Sequence, residues 1–151
     1  MGSLSLINKT RQKVPAFPFA RAARRILPRF DLSLAFITET DARALNHRLR
    51  RKSYVPNVLS YKTGVRSGEV IICLSEAKRQ ARTYDLTYPA FVGLLFIHAC
   101  LHLNGKRHSN TMERSERALL ARLLHSPLPN GPSKNRNRHR HRNAPRQGRS
   151  R

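Results

Sequence analysis

Three histidines in this chain stand at a spacing suited to holding a metal ion. His98 and His102 lie four residues apart in the stretch PAFVGLLFIHACLHLNGKRH, residues 89–108, and His108 follows soon after Gly105. On a helix, a four-residue separation puts both imidazoles on one face, one turn apart. A glycine just past a helix end lets the chain reverse, which brings the third histidine back toward the other two. The pattern His-x3-His-x2-Gly-x2-His can therefore give three nitrogen ligands to one tetrahedral zinc ion and leave the fourth position to water. That is a catalytic layout, because zinc lowers the pKa of a bound water to about 7 and polarises a phosphoryl oxygen. A lone histidine in an apolar helix is usually a core residue with a satisfied ring. Three at ligand spacing, with the turn glycine in place, favour the metal. Cys100 lies two residues from each helical histidine and so points off their face.

The same spacing fits zinc peptidases of the metzincin type, whose glutamate general base directly follows the first histidine. Ala99 occupies that position, so the peptidase reading lacks its base.

The elements that must position these residues follow from periodicity. Residues 91–103 are apolar almost all round, which predicts a buried helix, with Pro89 in its first turn and Gly105 at its stop. The run is shorter than the ~20 apolar residues of a membrane span and carries two histidines, so no membrane segment is expected. Residues 32–38 and 68–74 predict strands, the second apolar from Val70 onward and so a central strand buried on both faces. Residues 4–7 and 58–61 predict two more, with 62–67 as a turn-rich loop. A helix is predicted over 18–27, its arginines solvated. Another runs from a Thr40 or Asp41 cap to about residue 49, with Ala42, Leu45 and Leu49 inward. A third follows a Ser75 cap, from 76 to about 84. The last follows a Thr111 cap, over 112–124, with Leu119, Leu120, Leu123 and Leu124 inward. Strands and helices intermix without a regular βαβ repeat. The fold class is therefore α+β, a small mixed sheet packed with helices around the central histidine-bearing helix, in the manner of a zinc hydrolase.

A length of 151 residues suggests one domain, and 39% hydrophobic residues can fill a modest core. Thirty Lys and Arg face eight Asp and Glu, a net charge of +22. Such a field attracts polyanions, nucleic acid first and an anionic membrane surface second. Residues 126–151 hold eight of the basic residues, none of the acidic ones, four prolines and almost nothing to bury. They are expected to form a disordered basic tail, either a plain solvated charge run or an RNA anchor. The domain is then 1–125, with 22 basic and 8 acidic residues and a net charge of +14. His47 and His125 fit no metal pattern, and His139 and His141 alternate with arginine and make poor ligands. Cys73 and Cys100 both lie in apolar runs and read as reduced core residues, not as a disulfide. The opening MGSLSLINKT has too short an apolar stretch for a secretory signal, and Leu6 stands where myristoylation needs Ser or Thr. A cytoplasmic protein is expected.

The stretch HACLHLNGKRH resembles the histidine motif of the YbeY-type endoribonucleases, the bacterial rRNA maturation factors, whose pattern is His-Gly-x-Leu-His-Leu-x-Gly-Tyr-Asp-His. Leu45-Asn46, Arg50, Lys52, Asn57-Val58-Leu59-Ser60 and Tyr61 are similar to that family's Leu-Asn…Arg-x-Lys-Asp…Thr-Asn-Val-Leu-Ser-Phe segment. Gly68-Glu69-Val70-Ile71-Ile72 resembles its Gly-Asp/Glu-Ile-x-Ile strand, and Met112 and Glu116 stand where its closing helix has Met and Glu. The resemblance covers about residues 32–124, with three separated segments in the right order.

This resemblance implies a metal-dependent endoribonuclease, specific for single strands, acting in 16S ribosomal RNA maturation and ribosome quality control with the small ribosomal subunit as partner. It implies one zinc ion per chain on His98, His102 and His108, and a catalytic set of these three with Arg50. It places Arg50, Lys52, Asn57 and Ser60 against RNA, and Lys106 and Arg107, a solvated turn by default, would face any bound RNA from beside His108. A positioned arginine can neutralise charge developing on phosphate, and a basic surface can hold the backbone. Two attacking groups remain open, zinc-bound hydroxide and the RNA's own 2′-hydroxyl. The chain also departs from the pattern. Lys106-Arg107 replace Tyr-Asp, so an acid beside the metal has become a cation, a kind of loss that typically costs about 10–100-fold in metal affinity or activity. Ala99 replaces Gly, Ser53 replaces Asp, Pro56 replaces Thr, Lys62 replaces Pro, and the connection over 62–67 is short for the family. The rival expectation is therefore a non-catalytic RNA- or ribosome-binding factor that keeps the fold and has lost the metal chemistry.

Overall fold

The computed structural model describes residues 2–124, so the expected basic tail and His125 lie outside the described residues. Four strands form one mixed sheet: β1 (Ser3–Asn8), β2 (Asp31–Ile37), β3 (Val58–Gly64) and β4 (Ser67–Cys73), in the order β1-β2-β4-β3. β1 and β4 flank β2 in parallel, and β3 pairs antiparallel with β4. Five helices complete the domain: α1 (Phe19–Ile26), α2 (Glu39–Arg50), α3 (Leu74–Ala81), α4 (Tyr88–Leu103) and α5 (Asn110–Leu123). The expected α+β class, with β4 internal, is what the chain forms.

Side-chain alternation divides the core between the two faces of the sheet. Leu32, Leu34 and Phe36 of β2, with Val70 and Ile72 of β4, pack into the main core with α1, α3, α4 and α5. Ile37, Leu59, Ile71 and Cys73 point the other way and meet Ala42 of α2 in a smaller cluster. Because β4 is sandwiched between these clusters, its apolar run shows no alternation.

α4 is the middle of the domain and touches α1, α3, α5, β3 and β4. Thr87 caps it by accepting the Ala90 N–H at 3.2 Å, and Pro89 occupies the first turn. Phe96 is fully buried and meets the Phe19 ring edge-on at 5.2 Å between centroids. Burying one such side chain is worth about 1.5–3 kcal/mol, and α4 buries them on nearly every face. Gly93 is needed there, since the Phe17 ring fills the place of a Cβ. Among the described residues, no single helix is long and apolar enough to cross a membrane.

Several boundaries differ from expectation. Thr38, not Thr40 or Asp41, caps α2 by accepting the Asp41 N–H at 3.2 Å. Ser109, not Thr111, caps α5 by accepting the Met112 N–H at 3.2 Å. In each case the cap is the residue just before the first helical turn, whose oxygen can reach the amide three residues on, and the candidates downstream are already helical. α3 starts at Leu74, ahead of Ser75, with no side-chain cap, and ends in a separate 3₁₀ turn at Arg82–Tyr84. The expected loop over 62–67 is mostly strand. β3 runs on to Gly64, the turn is only Val65-Arg66, and Thr63 Oγ1 donates to Ser67 Oγ at 2.9 Å across it. Cross-strand pairing overrides the polar composition here. On α2, Leu49 is 48% exposed, and the polar Asn46 takes the buried position instead.

Candidate metal centre

The site is built by the end of α4 and the reversal that follows it. Gly105 has φ +91°, a conformation natural to glycine. Its N–H donates to the His102 carbonyl at 2.9 Å, and the Lys106 N–H donates to the Leu101 carbonyl at 3.0 Å. This pair of bonds is the Schellman ending of a helix. The reversal turns the Lys106 carbonyl toward His102, whose Nδ1–H donates to it at 3.0 Å. It also returns the chain so that His108 reaches the two helical histidines.

The three imidazoles present ligand nitrogens that all lie within 4.8 Å of one another. The His98 and His102 rings are edge to face at 4.5 Å between centroids, and His108 is edge-on to His98 at 5.0 Å and stacked with His102 at 5.8 Å. His98 Nδ1 is hydrogen-bonded to Glu116 Oε2 on α5. A carboxylate accepts, so Nδ1 carries the proton and Nε2 keeps its lone pair. The Lys106 carbonyl imposes the same tautomer on His102. The two free Nε2 atoms then face each other at 3.1 Å. Two lone pairs at that distance repel unless a proton or a metal cation lies between them. Two nitrogens bound to one tetrahedral zinc at 2.0–2.1 Å stand about 3.3 Å apart, so the donor set fits such an ion. Burial, followed by the neighbouring His98, lowers the His102 pKa from the ordinary histidine value.

The other candidate residues are distributed more widely. Arg50 ends α2, and its guanidinium donates to Asn46 Oδ1 at 3.5 Å. Asn46 in turn donates to the Tyr54 carbonyl at 3.0 Å, which explains its burial. Arg50 and Asn57 line one open groove with Glu76 and Gln80, and Asn57 Nδ2 donates to Gln80 Oε1 at 2.7 Å. None of the three histidines lines that groove. Ser60 is half-buried on β3 opposite Val70, and Lys52 is exposed beyond α2. Lys106 and Arg107 are exposed in the reversal beside His108, Lys106 acting on His102 through its carbonyl. Cys100 is fully buried in α4, and burial pushes its thiol pKa well above the usual range, as befits an inert core residue. His47 is exposed. Glu116 was not among the site residues expected from the sequence, although its place between Met112 and Leu120 on the buried side of α5 marks it out.

Fold and site together define an α+β protein with a three-histidine centre able to hold a metal ion. The family model for Endoribonuclease YbeY matches residues 7–124, and the chain belongs to that family. Over 108 residues it is 35% identical to the Endoribonuclease YbeY of Pseudomonas entomophila (strain L48), covering 63% of this chain and 69% of that protein. Its counterpart from Polynucleobacter asymbioticus is 33% identical over 101 residues, covering 61% and 65%. A Thermotoga maritima protein solved in solution has the same fold, with a TM-score of 0.61 at 17% identity over 80% of this chain and 89% of that one.

Proposed function

We propose that the chain is a zinc-dependent, single-strand-specific endoribonuclease that works in the cytoplasm on ribosomal RNA of the small subunit, in its maturation and quality control. The observation that carries this reading is the convergence of His98 and His102, each freed at Nε2 by a hydrogen bond at Nδ1, with His108, in a chain of an endoribonuclease family. Bound zinc supplies Lewis acidity toward a phosphoryl oxygen. The chain's own residues do the rest. The histidines hold the ion, and Arg50, set in its groove beside Asn57, neutralises phosphate charge. A second groove is lined by Arg29, Lys62 and Arg66, together with Asn104-Gly105 of the reversal that follows His102, and by no acidic side chain. It suits the backbone of a single strand leading to the site.

The test is elemental zinc in untagged protein purified without chelator, followed by cleavage of a single-stranded ribosomal RNA fragment. About one zinc per chain is expected, as for a single three-histidine site. His102→Ala loses both zinc and cleavage while its circular dichroism stays that of the wild type. Full cleavage by zinc-free protein would refute the reading. The exposed Lys106-Arg107 pair beside His108 favours a second reading, a binding factor without chemistry. It predicts salt-sensitive RNA binding with no cleavage even after zinc is added, and stronger metal binding in Arg107→Asp.

A further inference from the structure

Glu116 is one of two buried polar side chains among the described residues, the other being Asn46. Asn46 has a local task, tying α2 to the Tyr54 carbonyl. Glu116 faces a different element: from the apolar stripe of α5, between Met112 and Leu120, its Oε2 meets Nδ1 of His98 on α4. A carboxylate in such a stripe costs stability unless it is paired and hydrogen-bonded. We infer that Glu116 is the positioning residue of the metal centre, fixing the His98 tautomer and supplying negative charge next to the ion. This inference rests on the zinc reading above and assigns α5 a part in it.

The argument for a charge role comes from this chain's own sequence. Arg107 precedes His108 and Lys106 precedes Arg107, so the third ligand arrives directly behind two cations. Of the two hydrogen bonds that orient the helical histidines, the Lys106 carbonyl gives a neutral one and Glu116 the charged one. Charge-assisted bonds are roughly twice as strong as neutral ones. A histidine that donates to a carboxylate is also a more basic ligand.

Two substitutions separate hydrogen bond from charge. In E116Q the amide oxygen still accepts from Nδ1–H, but the charge is gone; in E116A both are gone. Zinc affinity is read by competition with a chromophoric chelator, and the His98 tautomer by long-range ¹H–¹⁵N NMR on metal-free protein. The expected result is a loss in affinity of about tenfold for E116Q and about 100-fold for E116A. The His98 proton stays on Nδ1 in the wild type and E116Q and redistributes toward Nε2 in E116A. The inference is overturned if E116Q binds zinc as the wild type does, since charge would then be irrelevant. It is also overturned if E116A keeps the Nδ1–H tautomer, or if the variants lower only the melting temperature. Should the wild type bind no zinc, the functional reading fails, while the tautomer comparison still decides whether Glu116 sets the His98 ring.

Discussion

Replacing Gly105 with alanine puts a number on how far one turn organises the site. With φ at +91°, the residue closes the bonds from its own N–H to His102 and from Lys106 to Leu101. No atom lies within 4 Å of where a Cβ would sit, so alanine meets no clash. Its cost is conformational, about 1–2 kcal/mol for holding an L-residue in the left-handed region. Two responses are open to the chain. If the turn keeps its shape, the whole cost appears as stability, a fall in Tm of roughly 3–10 °C for a domain of this size. If residue 105 relaxes to negative φ, the fold recovers most of that energy but the reversal opens. The Lys106 carbonyl then leaves His102, His108 moves away from the other two rings, and zinc affinity falls by about 10–100-fold. Thermal unfolding of the metal-free protein and chelator competition, run on the same sample, measure both outcomes. Gly105→Asn, which tolerates left-handed backbone better than alanine, should fall between the two. An alanine variant with both the Tm and the zinc affinity of the wild type would refute the reasoning.

Tyr61 donates to Glu69 Oε1 at 2.5 Å, and this bond, with burial, pushes its pKa up to about 12. The phenol is neutral in the fold at a pH where the unfolded chain already loses its proton. Its contribution to stability is therefore full below pH 10 and lost as pH rises toward 12. Absorbance titration should show Tyr61 ionising late, alongside the Tyr88 phenol that burial also raises, and Glu69→Gln should bring Tyr61 alone down toward the ordinary value. Phe96→Ala removes a fully buried ring from the meeting of α4 and α1 and should cost about 3–5 kcal/mol in urea unfolding. Arg29→Glu with Arg66→Glu should weaken binding of single-stranded RNA and reduce the salt slope by about 0.7 for each phosphate no longer neutralised, without changing zinc content.

What the sequence makes legible is what depends on neighbours in the chain. The apolar run of α4, the four-residue histidine spacing and the glycine of the reversal are all local, and they suffice to place three rings together. Helix starts are less legible where polar residues come in series, as at Thr38, Thr40 and Asp41. Any of these can cap a helix, and only the backbone shows which one stands before the first turn. The hairpin shows a different limit. Residues 62–67 look like a loop by composition, yet pairing with β4 carries β3 to Gly64, because a partner strand is a nonlocal fact.

Asn46 and Glu116 show the same limit at the level of function. A polar residue on an inward stripe signals that a partner exists, since leaving such a group unpaired costs about 1–3 kcal/mol, more when it is charged. The stripe cannot say where the partner is. For Asn46 it is eight residues away, at the Tyr54 carbonyl, within reach of a local argument. For Glu116 it is on another helix, and His98 could be named only once α5 was seen packed along α4. The sequence therefore reveals ligands more readily than the groups that orient them. Ligand spacing is a property of one helix, whereas the orienting bond depends on how two helices pack.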